Sequence, residues 1–270
     1  MRRIEPSVQS GGSKVPGTAS FSKFMIVLQF VADDPGRLSV PELYKRVNFP
    51  RGTSRRILSA LMNEGLIVVD ERTERLELGP RLINLASRAW NRFDLRTIAQ
   101  EDIRWLRDST SETVHLAVPS GLEMVYIDKL EGLRAVRMRS RIGARIPLHS
   151  TSVGKAYMAA LEVSECKGLL DKLDYYPLTP NTLARHDLES DLRDTARRGY
   201  SMDREETELD IICFGCAIRG ATGRPVGSLS VTVPKYRLDK AAERTCKEGV
   251  VVCASRISTR ISAVTEQDAL

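Results

Sequence analysis

"NFPRGTSRRILSALMNEGLI", residues 48–67, decides how the N-terminal part of this chain is read. Ile57, Leu58, Leu61 and Met62 recur at helical spacing and make one apolar stripe, while Arg51, Arg55, Arg56, Ser59 and Asn63 lie elsewhere on the same helix. Gly65 ends it. Upstream, "SKFMIVLQFVAD" places Phe24, Val27, Leu28 and Val31 at helical spacing behind Ser22 as N-cap, and "SVPELYKRV" starts a second helix with Ser39 as cap and Pro41 in the first turn. Downstream, "LIVVDERTERLELG" alternates apolar and polar residues around a turn at Glu71-Arg72-Thr73, the pattern of a two-stranded wing. Three short helices and a basic hairpin predict a winged helix-turn-helix.

Such a unit lays the start of its second motif helix in the major groove, where side chains reach base edges and nearby basic groups grip phosphate. Arg51, Gly52, Thr53, Arg55 and Arg56 occupy that start, and Arg72 and Arg75 sit in the wing. An arginine fork pairs with guanine O6 and N7 or with phosphate oxygens. Arg51 and Arg55 are expected to read bases, with Thr53 and Arg56 on the backbone. The plain alternative is that these arginines only solvate an exposed face. Charge alone does not decide it: positions 37–81 hold nine Lys or Arg against six Asp or Glu, and the whole chain has 41 against 35. The order helix, turn, helix, wing favours DNA.

Residues 1–20 are rich in Ser, Gly, Pro and Arg without apolar period and read as a disordered arm. Residues 21–80 form the winged helix-turn-helix, and 81–93 a linker helix within "PRLINLASRAWNRF". Residues 94–265 change character. A helix over "LRTIAQEDIRWLRDST" leads into "TVHLAVP", a turn at Ser120-Gly121, and "EMVYIDKL", an antiparallel hairpin. More strands are expected at "AVRMRS", "CFGCAI" and "PVGSLSVTV", and helices at 153–161, 187–198 and 238–262. The fold class is α+β, a winged helix-turn-helix followed by a mixed sheet with helices, of a size suited to ligand sensing.

"HSTSVGKAYM", residues 149–158, brings Gly154-Lys155 to a helix start as a phosphate loop would, but His149 stands where that loop needs glycine and Ala156 where it needs Ser or Thr. A simpler use is open: the N–H groups of Ser152, Val153 and Gly154 with the helix dipole make a carboxylate seat. Lys155 reads as an exposed lysine on the outer face. Five scattered cysteines do not suggest a disulfide framework, and the Cys213-x-x-Cys216 pair has neither a partner pair nor histidines to complete a metal site. No metal or cofactor is expected. No apolar run is long enough to span a bilayer and no secretory pattern opens the chain, so a cytoplasmic protein without a membrane partner is expected.

The order "TVHLAV", "VYIDKLEG", "SRIGARIPLHSTSVGKAYMA" and "RRGYSMDREETELDIICFGCAIRGATGRPVGSLSVTVP" resembles the IclR family of bacterial transcription regulators, and "FPRGTSRRILSALMNEGLI" is similar to that family's recognition helix. The resemblance covers about residues 21–262. It implies a winged helix-turn-helix, a linker helix and a GAF-like effector domain that binds a small organic acid, acting as a homodimer or pair of dimers on double-stranded operator DNA. By the same resemblance the effector site falls at Ser152, Val153, Asp203, Ile211, Cys213, Ser230 and Thr232. "MDREE", "LTPN" and "GKAYMA" look most similar to members governing sugar-acid catabolism. The family usually carries Gly and then Arg ahead of the cysteine, where this chain has Asp210 and Ile212, and Ser where this chain has Gly52 at the recognition-helix cap.

The expected function is an effector-responsive, non-enzymatic regulator. Its rival is an enzyme acting on a small acid, with Cys213 as nucleophile and His149 or His115 as base. A third reading is an oligomerisation scaffold.

Overall fold

Helix α1 (Ala19–Asp33) buries Val27 and Val31. Because it begins at Ala19, Ser22 is a helical residue and not the expected cap. Ser39 does cap α2 (Val40–Arg46): its Oγ accepts the Glu42 N–H, and Glu42 Oε2 accepts the Ser39 N–H at 2.8 Å, a capping box with Pro41 in the first turn. Helix α3 (Arg51–Asn63) buries Ser54, Ile57, Leu58 and Leu61. Met62, placed in the stripe from its spacing, is 39 % exposed, and Ser54 takes the buried position one turn earlier. The cap also differs from expectation. Pro50 is the N-cap of α3, without a side-chain bond, and Gly52 is already inside the helix. Gly65 follows at φ +65°, a left-handed stop that glycine adopts freely. Strands β1 (Ile67–Val69) and β2 (Leu76–Leu78) pair antiparallel as the wing, and α4 (Pro80–Trp90) follows. Ile67 and Leu76 of the wing join Val27, Val31, Leu43, Ile57 and Leu61 in one core. Each such fully buried side chain stabilises the unit by about 1.5–3 kcal/mol.

The computed structural model describes residues 19–90, 95–135 and 140–267, in two compact units, Met1–Phe93 and Asp94–Leu270. All of the expected arm before Ala19, and most of the strand expected at "AVRMRS", lie outside the described residues.

The second unit runs α5 (Leu95–Thr110), β3 (Thr113–Ser120), β4 (Glu123–Leu130), β5 (Arg145–Pro147), α6 (Ser152–Ala159), α7 (Val163–Leu170), α8 (Arg185–Arg198), β6 (Ser201–Arg204), β7 (Ile211–Arg219), β8 (Pro225–Pro234) and α9 (Lys240–Gln267). The strand order is β5-β4-β3-β8-β7-β6. Every described pairing is antiparallel, where a mixed sheet was expected, because β3–β4, β6–β7 and β7–β8 are hairpin neighbours and β3 meets β8 antiparallel at the centre. Short β5 and β6 and helix α7 had no clear pattern in the sequence. They are three, four and eight residues long.

Alternation sorts the two sheet faces. Val114, Leu116, Phe214, Leu229 and Val231 pack with Leu106 of α5 and Val250 and Ile257 of α9. The opposite face carries Ala117 against Leu148, Val153, Met158 and Leu188. Between those apolar patches, on the second face, runs a strip of polar residues. No described helix is long and apolar enough to cross a membrane.

Candidate functional site

In the first unit Arg51, Gly52, Arg55 and Arg56 are exposed and Thr53 is half-buried, so the packing of Ile57, Leu58 and Leu61 turns the arginines outward. The first turn of α3 contains no acidic residue and its N-cap supplies no side chain, leaving the Arg51 and Gly52 N–H groups open to an anion. Among the described residues Arg51, Arg55, Arg56 and Arg72 form no ion pair. Arg72 stands on a wing tip held by Asp70, whose Oδ1 accepts the Arg72 N–H at 2.9 Å and the Thr73 N–H at 2.7 Å. Those bonds lower the Asp70 pKa, that of the Thr73 N–H foremost. Arg75 differs: its guanidinium donates to Glu42 Oε2 at 2.5 Å and to the Arg37 carbonyl at 3.0 Å. It braces the wing against α2 and is not free as Arg72 is.

In the second unit the strand register gathers the residues expected around the seat. Asp203 of β6 pairs with Cys213 of β7, and Cys213 with Thr232 of β8. Two residues along, Ser201 pairs with Gly215, Gly215 with Ser230, and Ser230 with His115 of β3. Directly paired residues share a face, so Asp203, Cys213, Ser230 and Thr232 point the same way. Ile211, opposite Pro234, lies at the end of that row set. Helix α6 crosses this face so closely that a Cβ on Gly215 would stand 2.7 Å from the Ser152 carbonyl oxygen and 2.7 Å from Ser201 Oγ. Ser201 Oγ donates to that carbonyl at 2.6 Å. Gly215→Ala is therefore expected to cost about 1–3 kcal/mol by overpacking, measured by urea denaturation; an unchanged midpoint would show that α6 shifts away freely.

Thr151 caps α6 and its Oγ1 accepts the Gly154 N–H at 3.1 Å, so of the three expected N–H groups only those of Ser152 and Val153 remain open at the helix start. Asp203 Oδ1 accepts the N–H groups of Glu206 at 2.8 Å and Thr207 at 3.3 Å, while burial raises its pKa against these bonds and the nearby Lys155. Asp210, in the position where the family usually has glycine, adopts φ +63°. Aspartate tolerates this left-handed backbone better than most residues, so the β6–β7 turn keeps a glycine-like conformation without glycine.

Lys155 corrects the expectation most sharply. It is fully buried, with Nζ 2.5 Å from Glu206 Oε1 and 2.9 Å from Asp191 Oδ2, and Arg198 holds the other Asp191 oxygen at 3.1 Å. Burial pushes Glu206 up to about 7 in spite of that lysine. Beside this network a cleft of about 240 Å³ opens between α8 and β6, walled by Asp187, Asp191, Met202, Arg204 and Glu206 among others. Asp203, Ser230 and Thr232 themselves are 3 %, 2 % and 6 % exposed, so they lie beneath the surface and do not line this cleft.

Histidines and cysteines fall into structural roles. His149 Nε2 meets the Tyr176 carbonyl at 3.1 Å. His115, with its pKa lowered to about 3 by burial and then by Lys129, is neutral; Nε2 meets Ser140 Oγ at 2.7 Å and Nδ1 meets Thr232 Oγ1 at 3.4 Å. Cys213 Sγ meets Thr232 Oγ1 at 3.4 Å, and burial raises its pKa further from neutrality. Sequence reasoning missed Glu206 and Ser228 as members of this region, and Tyr126, whose ring stacks on His115 with centroids 4.5 Å apart. Ser228 was findable as the third member of an i, i+2, i+4 hydroxyl series with Ser230 and Thr232.

Comparison with known proteins places both units. The IclR helix-turn-helix domain family matches residues 22–71, and the family described as bacterial transcriptional regulator IclR C-terminal matches residues 87–259. The HTH-type transcriptional regulator XynR of Escherichia coli K12 is 30% identical over 228 residues, 84% of this chain and 90% of XynR. The crystal structure of the Thermotoga maritima IclR superposes with a TM-score of 0.77 at 30% identity, covering 90% of this chain and 98% of that one. An IclR homologue from Microbacterium hydrocarbonoxydans, crystallised with 4-hydroxybenzoate, shares the fold with a TM-score of 0.76 at 22% identity, over 91% of this chain and 100% of its own.

Proposed function

Since this chain belongs to the IclR family of bacterial transcriptional regulators, with a DNA-binding head and an effector-binding C-terminal domain, we propose that a small organic acid bound under α6 sets its affinity for operator DNA. The observation that carries this reading is the polar sheet strip lying beneath a helix start with two open N–H groups. The acid's carboxylate is received by the N–H groups of Ser152 and Val153 with the helix dipole, and its other oxygens by Asp203, Ser230 and Thr232. Asp203 already accepts the Glu206 and Thr207 N–H groups and so suits a ligand hydroxyl, which sets the orientation: carboxylate toward α6, hydroxyl toward Asp203. Cys213 and Ile211 complete the wall.

In the other unit, Arg51 and Arg55 read bases, Gly52, Thr53 and Arg56 hold phosphate, and Arg72 adds a wing contact, with Arg75 positioning the wing. We divide the chain as 1–20 arm, 21–80 DNA-binding domain, 81–93 linker helix and 94–265 effector-binding domain, working in the cytoplasm as a homodimer or dimer of dimers. An acid that prefers one arrangement of paired subunits changes the spacing of their reading helices, and a coupling of about 1–3 kcal/mol changes operator affinity roughly 5 to 150-fold. Catalysis by Cys213 is disfavoured by its raised pKa and by the absence, among the described residues, of a direct imidazole contact.

The test is operator binding with and without acids, using DNA selected from a random pool by the protein. Asp203→Asn retains an oxygen for the Glu206 and Thr207 N–H groups but loses the second carboxyl oxygen, so the fold should persist while the response to a hydroxylated acid weakens about 10-fold. Equal operator affinity with and without an acid shown to bind would defeat the reading.

A further inference from the structure

Along β8, Ser228, Ser230 and Thr232 stand in line on one face at about 6.7 Å per pair of residues. The bonding states of this face are unequal. Thr232 is engaged by Cys213 and His115, and His115 has both ring nitrogens occupied. Ser201 is spent on the Ser152 and Gly215 carbonyls. Ser228, by contrast, is fully buried and its Oγ has no partner among the described residues. An unpaired buried hydroxyl costs about 1–3 kcal/mol, so its presence calls for a partner the free chain does not supply.

Ser228 is flanked in register by Ala217 on β7 and Ala117 on β3, and Ala117 pairs in turn with Tyr126 on β4. Two alanines on either side offer only methyl groups, so neither gives the serine a polar partner. Tyr126 starts in the Ser228 row and lays its ring on His115 in the Ser230 row. Burial first, then the charges of Cys213 and Asp203, push the phenol pKa up, so the hydroxyl keeps its proton and is a donor. Among the described residues it has no hydrogen-bond partner. The imidazole beneath it is held at both nitrogens, Nε2 by Ser140 and Nδ1 by Thr232.

We propose that Tyr126 and Ser228 extend the effector seat past the carboxylate end, and that they select acids bearing a hydrogen-bonding oxygen along the chain over hydrocarbon acids of equal length. The inference rests on the acid-sensing reading above and adds two determinants to it. A ligand hydroxyl or keto oxygen meets the Tyr126 donor, while Ser228 accepts or donates as the ligand requires; a bare methylene leaves both unpaired, which is how a polar site rejects an apolar analogue.

The test uses the full chain and isothermal titration with D-glycerate and D-gluconate, each set against its hydroxyl-free counterpart, propionate and hexanoate, with 4-hydroxybenzoate as a flat comparator. The wild type should bind at least one aldonate more tightly than its counterpart. Tyr126→Phe keeps the ring stack, so its melting temperature should stay within about 2 °C; it should weaken the aldonate about 3 to 10-fold, the worth of one uncharged hydrogen bond, and leave the hydrocarbon acid unchanged. Ser228→Ala should narrow the same ratio without loss of stability. A preference that survives both substitutions, or tighter binding of hydrocarbon or aromatic acids by the wild type, overturns the selection by Tyr126 and Ser228 while the acid seat stands. No binding of any acid overturns the seat and this inference with it.

Discussion

Replacing Lys155 by methionine is expected to destabilise the second unit by about 3–5 kcal/mol, the usual cost of removing one partner from a buried ion pair. The side chain is fully buried and its ammonium lies within 2.9 Å of both Glu206 and Asp191. Asp191 would retain Arg198 at 3.1 Å, but Glu206 would lose its cation, and Asp203 a nearby charge that lowers its pKa. For a unit of this size each kcal/mol lowers the melting temperature by roughly 2–4 °C. The deficit should depend on pH in a defined direction. Glu206 has a folded pKa of about 7 against an ordinary 4.5, so between those values the folded state binds more protons and stability falls as pH rises. Without the lysine that pKa moves higher still. The variant's deficit is then greatest above pH 7 and shrinks toward pH 5, as urea denaturation at pH 8 and pH 5.5 would register. An equal deficit at both would show that the lysine acts through packing and not charge. Adding Glu206→Gln to the variant should recover part of the loss at pH 8, since neighbouring groups are not additive.

Arg51→Ala combined with Arg55→Ala should abolish selective DNA binding while leaving the fold intact. Both side chains are exposed and, among the described residues, unpaired, so nothing in the first unit's core depends on them. One arginine fork on a guanine edge is worth about 1–3 kcal/mol, and two independent forks about 2–6 kcal/mol, a loss from roughly 30-fold upward in affinity for a selected operator over random DNA. Arg72→Ala should behave differently, reducing affinity for all sequences and lowering the salt slope by about 1. Arg75→Ala should weaken DNA binding mainly by loosening the wing, with a fall in thermal stability that Arg72→Ala lacks. Fluorescence anisotropy across a salt series separates these outcomes. If the double variant retained the wild-type preference, base reading would belong to other residues.

The reading helix was legible because one stripe of apolar residues forces the arginines to the opposite side. Its cap was not, since Pro50 carries no polar side chain and residues near a helix start resemble one another in pattern. The β3–β4 hairpin and the strands around Cys213 and Ser230 were visible from alternation. Strands β5 and β6 are too short to show it, and β6 holds Asp203 in place only by pairing with β7. Lys155 was misread for a related reason: helical spacing says which way a lysine points, but its two carboxylate partners come from α8 and the turn after β6, 36 and 51 residues along the chain. Tyr126 escaped notice because its place in the Ser228 row runs through Ala117 of β3 and shows only in the register of three strands. Long-range register, not local composition, made those assignments.

Glu42 Oε2 takes hydrogen bonds from the Ser39 amide, the Ser39 hydroxyl and the Arg75 guanidinium at once. One carboxylate thus welds the start of the first motif helix to the root of the wing. Loss of that carboxylate would therefore uncap the helix and unpin the hairpin together, so a single substitution at Glu42 would be felt at two DNA-facing elements of the head at once.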